Sequence, residues 1–309
     1  MPGHDPRALE LLIGKLPRPR KIAYRKIHSF SDDDLAYEKI EFLSEDEPVR
    51  AYIVRPKNTP GHRLPVIYCH HQHALQFHLG KREVIGRRGD PSQAYACILA
   101  RKGYMTFAPD AKCFEERMIA GVEVERSEVF EFSRLLCLGK SLQWQFLVDI
   151  KNGISCINSI PDADSSRIGF MGHSLGGQEA LFATAVDSRI KVAVSSCGLS
   201  SYKAIFRHKI PHNLGLFVPS FSNKHDLDFL FRFIAPRPFL ILAGKHDGEF
   251  PYEGVVDVFS KANRIYGRRR SSKNIKLLSF DTGHELSSDM MLEASRWFDR
   301  WLKPSSRHF

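Results

Sequence analysis

Hydrophobic and polar positions change along the chain from alternation to short continuous apolar runs. Leu35–Leu43 and Val49–Arg55 alternate and flank an acidic turn, so they predict an antiparallel pair of strands. Leu64–Cys69 is apolar throughout, as expected of a strand that is buried on both faces. Later runs of the same kind predict strands at Tyr104–Pro109, Arg167–Met171, Ile190–Ser196, Pro238–Ala243 and Ile275–Phe280.

Amphipathic stretches separate these apolar runs and predict helices. The predicted helices are Ser92–Lys102, Ser141–Ile160, Leu175–Val186, Val255–Ile265 and Ser288–Trp301. Strands that alternate with helices predict an α/β fold with a mostly parallel central sheet and helices on both faces. Two segments, Cys113–Lys140 and Leu199–Pro236, interrupt this alternation. The second is rich in Phe, His and Pro, and we expect it to form a small cap over the strand ends.

The domain organisation follows from the same pattern. Residues 1–33 are basic, contain several prolines and are predicted to form an N-terminal extension. Residues 34–309 are predicted to form one domain, with the cap insertion at about 199–236. A chain of 309 residues buries most of its apolar surface, and α/β proteins often reach this length as a single unit.

Composition adds few constraints on function. The chain is 43% hydrophobic and 26% charged, which excludes a disordered protein. Lys and Arg number 45 against 35 Asp and Glu, giving a net charge of +10. No nucleic-acid-binding module accompanies the basic clusters, so we expect solvated surfaces and no nucleic-acid partner. No run of about 18 apolar residues exists, so we expect no membrane partner.

The cysteines indicate a reducing compartment. All six are scattered and none forms a Cys-x-x-Cys pair, which is typical of free thiols. The apolar stretch Leu9–Ile13 is too short and too interrupted for a signal peptide. The expected location is therefore the cytoplasm.

The most informative motif is Gly-x-Ser-x-Gly around Ser174. It follows a predicted buried strand and precedes a predicted helix. A serine on such a tight turn leaves no room for a side chain two residues before or after it, so Gly172 and Gly176 fit the pattern. The helix that follows directs free N–H groups at the same place. Ser174 is therefore the candidate nucleophile.

A serine nucleophile needs a base, and the base needs a carboxylate that orients it. Asp247 is the first carboxylate after the strand Pro238–Ala243, and His284 follows the strand Ile275–Phe280. Both lie where the carboxyl ends of parallel strands meet. The competing residues are His246 for the base, and Asp281 and Glu285 for the acid.

These motifs resemble those of α/β-hydrolases, in particular the dienelactone hydrolase and acetyl xylan esterase-like group. The resemblance covers roughly residues 35–303 and rests on Gly172–Gly177, Ala243–Asp247, Gly283–His284, Gln72–Lys81, Ala108–Asp110 and Ala235–Phe239. It implies the α/β-hydrolase fold and ester hydrolysis through an acyl-enzyme, without a cofactor. Dienelactone hydrolases carry cysteine as nucleophile, so Ser174 argues against the dienelactone reaction itself.

An oxyanion hole needs two backbone N–H donors. The residue after the nucleophile, Leu175, supplies one. The loop after Leu64–Cys69 supplies the other. This loop lacks the glycine that many relatives carry, which leaves two candidates, and we favour Gln72 over His71. The expected substrate-binding side chains are His71, His73, His173 and Phe217.

The same loop suggests a rival metal site. His70, His71, His73 and His78, with Asp110, are potential ligands. A zinc site also needs a clear third ligand and an open position, whereas the serine, histidine and aspartate already account for the chemistry. We therefore expect no metal and no cofactor, with the histidines hydrogen-bonded within the loop.

The predicted function is a serine esterase acting on small carboxylic esters. Short acyl or acetyl esters are favoured because the cap mixes basic and aromatic residues, whereas a lipase needs a broad apolar surface. The alternatives are a serine peptidase or amidase, a lactonase, and a non-catalytic binding protein on the same fold. A peptidase of this fold usually needs a gating domain, which residues 1–33 are too short to supply. The oligomeric state stays open, a homo-oligomer included.

Overall fold

The computed structural model describes residues 7–58, 61 and 63–303, and its centre is a nine-stranded sheet. The strands are β1 (Tyr24–Ser31), β2 (Leu35–Ser44), β3 (Glu47–Pro56), β4 (Leu64–His70), β5 (Met105–Pro109), β6 (Ala163–His173), β7 (Ile190–Ser196), β8 (Phe239–Gly244) and β9 (Ile275–Phe280). Their order across the sheet is β1-β2-β3-β5-β4-β6-β7-β8-β9. Strands β1, β2 and β3 pair antiparallel and β3 pairs antiparallel with β5, whereas all later pairs are parallel.

Most helices lie between strands of the sheet, whereas the first precedes it and the last follows it in sequence. The helices are α1 (Arg7–Ile13), α2 (Lys81–Val84), α3 (Tyr95–Arg101), α4 (Ser127–Cys137), α5 (Leu142–Ile157), α6 (Leu175–Val186), α7 (Tyr202–Arg207), α8 (Phe231–Ile234), α9 (Tyr252–Arg268) and α10 (Ser288–Leu302). Short 3-10 helices lie at Pro91–Gln93, Glu115–Arg117, Val124–Arg126, Leu214–Leu216, Leu227–Leu230 and Ser272–Asn274. Ser141 and Ser287 cap α5 and α10 by accepting hydrogen bonds from backbone N–H groups of the first turn.

The sheet has an apolar core on each face. In β4, Val66 and Tyr68 pack with α5 and α6 on one side, and Ile67 and Cys69 pack with α3 and α10 on the other. Successive side chains of a strand point to opposite faces, so a fully apolar run is what a doubly covered strand requires. The predicted α/β class, with a mostly parallel sheet and helices on both faces, is confirmed.

The sheet also begins earlier than the pattern predicted. Tyr24–Ser31, within the predicted extension, forms β1 and pairs with β2 along its length. It is an edge strand with six of its eight residues exposed and a register shift between Lys26 and His28, so it shows no clean alternation. Helix α1 also packs against the body, since Leu9 and Ile13 are buried in the core.

The two segments that break the alternation are ordered. Residues 113–140 contain α4, which packs against α5. Residues 199–236 contain α7 and α8 and start at the carboxyl end of β7, the edge where the predicted site residues lie. Phe221 and Phe231 of this segment are fully buried, so it contributes to the core on the α6 side of the sheet. No helix in the described ranges has both the length and the apolar character to span a membrane.

Candidate active site

The turn at Ser174 links β6 directly to α6. Its backbone has φ 55° and ψ −119°, a conformation that side-chain-bearing residues rarely adopt. A Cβ on Gly172 would lie 2.3 Å from the backbone of Gly176, and a Cβ on Gly176 would lie 1.9 Å from the carbonyl oxygen of His70 on the neighbouring strand. The turn and the adjacent strand therefore exclude any side chain at both glycines, as the motif predicted.

Three predicted residues from separate strand ends meet at this turn. The Nε2 atom of His284 lies 2.9 Å from the Oγ of Ser174. The Nδ1 atom of His284 lies 3.0 Å and 3.1 Å from the two carboxylate oxygens of Asp247. Asp247 follows β8 and His284 follows β9. The result is one continuous chain of hydrogen bonds from hydroxyl to imidazole to carboxylate.

Asp247 is held as an ionised acceptor. Its Oδ1 also accepts hydrogen bonds from the backbone N–H groups of Glu249 at 2.8 Å and Phe250 at 2.9 Å. Burial alone would raise the pKa of Asp247, but the hydrogen bond and charge of His284, with these two N–H groups, hold that pKa below its ordinary value. An ionised carboxylate accepts only, so Nδ1 of His284 carries the proton and Nε2 is free to accept one from Ser174.

Two aromatic rings pack against the imidazole of His284. The ring of His173 is centred 5.0 Å away and tilted by 35°, and that of Phe250 is centred 5.7 Å away and stacked at 20°. Burial, with the neighbouring His284, lowers the pKa of His173 to about 3, so this ring is neutral. The sequence did not single out Phe250. Its position three residues after the candidate acid, in the same loop, was the available signal.

The loop that contains one expected oxyanion donor lies beside the turn at Ser174, since the carbonyl oxygens of His70 and His71 are close to Gly176. Leu175 is the first residue of α6 and Gln72 lies in the loop after β4. Within the described part of the chain, neither backbone N–H donates to a protein acceptor. His71, the second choice, directly precedes Gln72 in this loop, and it is fully buried. The two N–H groups are thus available for a developing negative charge, although the choice between Gln72 and His71 stays a prediction.

The predicted substrate-binding histidines have protein partners. In His71, Nδ1 lies 2.7 Å from the carbonyl oxygen of Gln72, and Nε2 accepts from the N–H of Ala111. In His73, Nε2 lies 3.1 Å from a carboxylate oxygen of Glu128, and Nδ1 accepts from the N–H of Leu75.

His173 and Phe217, the other two predicted contacts, are also packed against protein. His173 is 1% exposed and packs on His284, with its Nδ1 3.2 Å from the hydroxyl of Ser196. Phe217 is half-buried and stacks on Phe206. The three histidines are therefore buried and have hydrogen-bond partners within the protein, whereas Phe217 is partly exposed. That these four side chains contact substrate stays a prediction.

The competing acid and base residues lie apart from this chain of hydrogen bonds. His246 pairs with Asp281 at 2.9 Å, and both side chains are mostly exposed. Glu285 has an ordinary surface position at the end of the same loop. Neither Asp281 nor Glu285, which lie near His284 in sequence, forms a hydrogen bond with its imidazole.

The rival metal site is not assembled. Among the described residues, two groups bring three ligand atoms close together: Cys197 with Asp247 and His284, and Asp110 with Glu115 and Glu116. Neither group contains the predicted set of histidines. The acidic group already surrounds the buried ammonium of Lys81, which lies 2.5 Å from Asp110 and 2.8 Å from Glu115. Asp110 also accepts from the N–H of Lys81 and so anchors that loop.

Comparison with known structures identifies the fold. A glucuronoyl esterase from Solibacter usitatus superposes with a TM-score of 0.71 at 13% identity, covering 96% of this chain and 91% of that one. An acetyl xylan esterase from Paenibacillus sp. R4 gives a TM-score of 0.65 at 17% identity, covering 96% and 92%. At these identities the likeness concerns architecture. The chain has the α/β-hydrolase fold, as its motifs implied.

In sequence, the chain is similar to YtaP of Bacillus subtilis (strain 168), which is named provisionally as a hydrolase. The two are 28% identical over 295 residues, which cover 94% of this chain and 96% of YtaP. No protein-family model matches the chain.

Proposed function

We propose that the protein is a serine esterase that hydrolyses small carboxylic esters through an acyl-enzyme. One observation carries this proposal: the unbroken hydrogen-bond chain from Ser174 through His284 to Asp247, at the carboxyl end of the sheet. The esterases that share the fold, and YtaP, a relative named as a hydrolase, support the same class of reaction.

In the acylation half, the Oγ of Ser174 attacks the ester carbonyl carbon while Nε2 of His284 takes the hydroxyl proton. Asp247 stays ionised and stabilises the imidazolium that forms. The N–H groups of Leu175 and Gln72 stabilise the oxyanion of the tetrahedral intermediate. The intermediate then collapses, His284 returns its proton to the departing alkoxide, and an alcohol leaves with the acyl group bound to Ser174.

In the deacylation half, water attacks the acyl carbon and gives a proton to His284. The second tetrahedral intermediate releases the carboxylic acid, and the proton returns from His284 to Ser174. The cycle balances with ester and water as the only reactants, so no step uses a cofactor or a metal.

We propose short acyl groups, because Ser174 is only 8% exposed and the segment 199–236 mixes basic with aromatic residues, whereas a long acyl chain needs a broad apolar surface. We also propose this segment as a cap over the site, and residues 34–309 as the catalytic domain, to whose sheet β1 adds an edge strand and against whose core α1 packs. A cytoplasmic location is proposed from the six unpaired thiols, five of them buried.

A hydrolysis panel tests the function. It contains p-nitrophenyl esters from acetyl to palmitoyl, an acetylated sugar, a lactone and a peptide anilide, each assayed with the wild type and Ser174→Ala. The proposal expects turnover of the short esters by the wild type and loss of more than 99% of it in the variant. Turnover of the anilide or the lactone in preference to every ester would assign amidase or lactonase chemistry to the same three residues. Turnover that persists in Ser174→Ala would remove the nucleophile from the proposal.

A further inference from the structure

A second cavity lies far from the candidate active site. It has a volume of about 550 Å³ and is enclosed by the N-terminal segment and the ends of α6 and α8. Ser174 immediately precedes α6, whereas Ala185 and Val186 at the other end of this helix line the cavity. A helix of 12 residues spans about 18 Å, so the cavity opens at the opposite edge of the sheet.

The charge around this cavity is unbalanced. Five basic side chains and one acidic side chain line it, the acid being Glu10 and the bases Arg18, Lys151, Arg232, Arg237 and Arg269. A protein surface of mixed charge would pair most of these cations. Here the two most buried cations, Lys151 and Arg237, share the attraction of one further carboxylate, that of Asp187.

Both carboxylate oxygens of Asp187 already accept hydrogen bonds from Arg189. The donors are guanidinium nitrogens of Arg189, at 2.6 and 2.9 Å. Lys151 lies 3.7 Å from the same carboxylate with its side chain 9% exposed. Burial lowers the pKa of Lys151, and the positive charge of Arg189 adds to this effect, which together outweigh the attraction of Asp187 and Glu10. An anion that enters the cavity would stabilise the charge of this buried ammonium.

Backbone carbonyl oxygens fix two further guanidinium groups of the cavity wall, those of the half-buried Arg237 and the exposed Arg269. Arg237 donates to carbonyl oxygens at the end of α6, among them those of Thr184 and Asp187, and to that of Phe233 in α8. Arg269 donates to the carbonyls of Arg232 and Ala235. These bonds hold both positive charges at the cavity wall without neutralising them by a carboxylate.

The mouth of the cavity carries two further cations. Arg18 and Arg232 are exposed and form no ion pair with any residue in the described part of the chain. The remaining wall is apolar and includes Leu9, Leu16 and Phe233. A ligand that fits would combine a negative head with a short hydrocarbon tail, and a volume of about 550 Å³ is ordinary for a small-molecule site.

We propose that this cavity binds an organic anion, namely an oxyanion head with a short apolar tail. The head lies between Lys151, Arg18 and Arg232, and the tail lies on the apolar wall. A carboxylate and a phosphate monoester share this chemistry. The proposal is independent of the esterase function, since none of the residues involved touches Ser174, Asp247 or His284.

Isothermal titration calorimetry with the full chain at fixed ionic strength tests this proposal. The probes are octanoate and octyl phosphate, with neutral octan-1-ol and inorganic phosphate as controls. We expect one saturable site for at least one octyl anion, and at least tenfold weaker binding of both controls. The stronger octyl anion identifies the head group. Equal binding of octan-1-ol would show an apolar void only, and equal binding of inorganic phosphate would show charge attraction only, and either result overturns the proposal.

Matched variants locate the binding. Arg18→Ala and Arg232→Ala should each weaken the octyl anion by about fivefold, because each removes one charge from the head position. Arg20→Ala is the control, since Arg20 is exposed, two residues away, and not part of the wall. Ser174→Ala should bind the anion as the wild type does, which separates this site from product binding at the candidate active site. Unchanged binding in the Arg18→Ala, Arg232→Ala double variant would overturn the proposal.

Discussion

Replacing Asp247 by Asn isolates the function of one carboxylate. Oδ1 of Asp247 accepts from the N–H groups of Glu249 and Phe250, and Oδ2 lies 3.0 Å from Nδ1 of His284. An asparagine keeps the two backbone bonds only if its carbonyl oxygen takes the Oδ1 position. Its NH₂ group then faces Nδ1 of His284 and donates to it. Nδ1 must accept, so the proton moves to Nε2, where it blocks proton transfer from Ser174.

Two losses therefore combine in this variant. The imidazole is held in the wrong tautomer, and the imidazolium formed during attack loses a negative charge about 3 Å away. Such replacements lower kcat by about 10⁴, which corresponds to about 5 kcal/mol of transition-state stabilisation. The free energy of unfolding should change little by comparison, because both backbone hydrogen bonds survive. KM should also stay within about threefold, because Asp247 lies behind the imidazole.

The assay is steady-state hydrolysis of p-nitrophenyl acetate by Asp247→Asn, with a thermal melt to confirm folding. The matched control is Asp281→Asn, since Asp281 lies on the loop of His284 but pairs with the exposed His246. The control should keep turnover within about twofold of wild type. If Asp247→Asn retains more than a tenth of wild-type kcat, or if Asp281→Asn loses as much, then the acid is wrongly assigned.

Three further predictions follow from particular contacts. In urea unfolding, Gly176→Ala should destabilise the fold by more than about 3 kcal/mol, because its Cβ would lie 1.9 Å from a backbone oxygen. The control Gly248→Ala places its new Cβ with no atom within 4 Å and should change the free energy of unfolding by less than about 0.5 kcal/mol. Similar values for both variants would contradict the steric argument. Burial raises the pKa of Glu179 from 4.5 to about 8, so between these pH values the folded protein keeps a proton that the unfolded chain releases. The free energy of unfolding should therefore fall as pH rises from about 4.5 to 8. Glu179→Gln should make this fall less steep, and an unchanged pH dependence would refute the assignment. Among p-nitrophenyl esters, acetyl to butyryl should be turned over fastest, and a maximum at about eight carbons or more would indicate an open apolar trough.

Much of the sheet could be predicted because burial leaves a direct trace in sequence. β7 and β9 have the bounds that their apolar runs predicted, and α6 begins and ends at the predicted residues. β1 left no such trace, because an exposed edge strand with a register shift has no reason to alternate. Its pairing depends on β2, which is a tertiary contact.

In the candidate site, too, some residues could be predicted from the strand pattern and others depend on tertiary contacts. Ser174, Asp247 and His284 could be chosen because each follows a buried strand, and parallel strands end at one edge. The hydrogen-bond partners of His71 and His73 could not be inferred this way. Their partners are Ala111, which follows β5, and Glu128 in α4, about 40 and 55 residues away along the chain. Histidines in a polar loop give the same sequence pattern whether they contact a substrate or form hydrogen bonds with other parts of the protein.

Covalent labelling of the nucleophile tests the central claim most directly. The protein is treated with an alkyl fluorophosphonate, digested, and analysed by tandem mass spectrometry to locate the adduct. We predict a single adduct on Ser174 in the wild type, none in Ser174→Ala, and labelling slowed by at least about 100-fold in His284→Ala, because the imidazole that accepts the hydroxyl proton is gone. An adduct on another residue, or labelling of Ser174 at the wild-type rate without His284, would contradict the account.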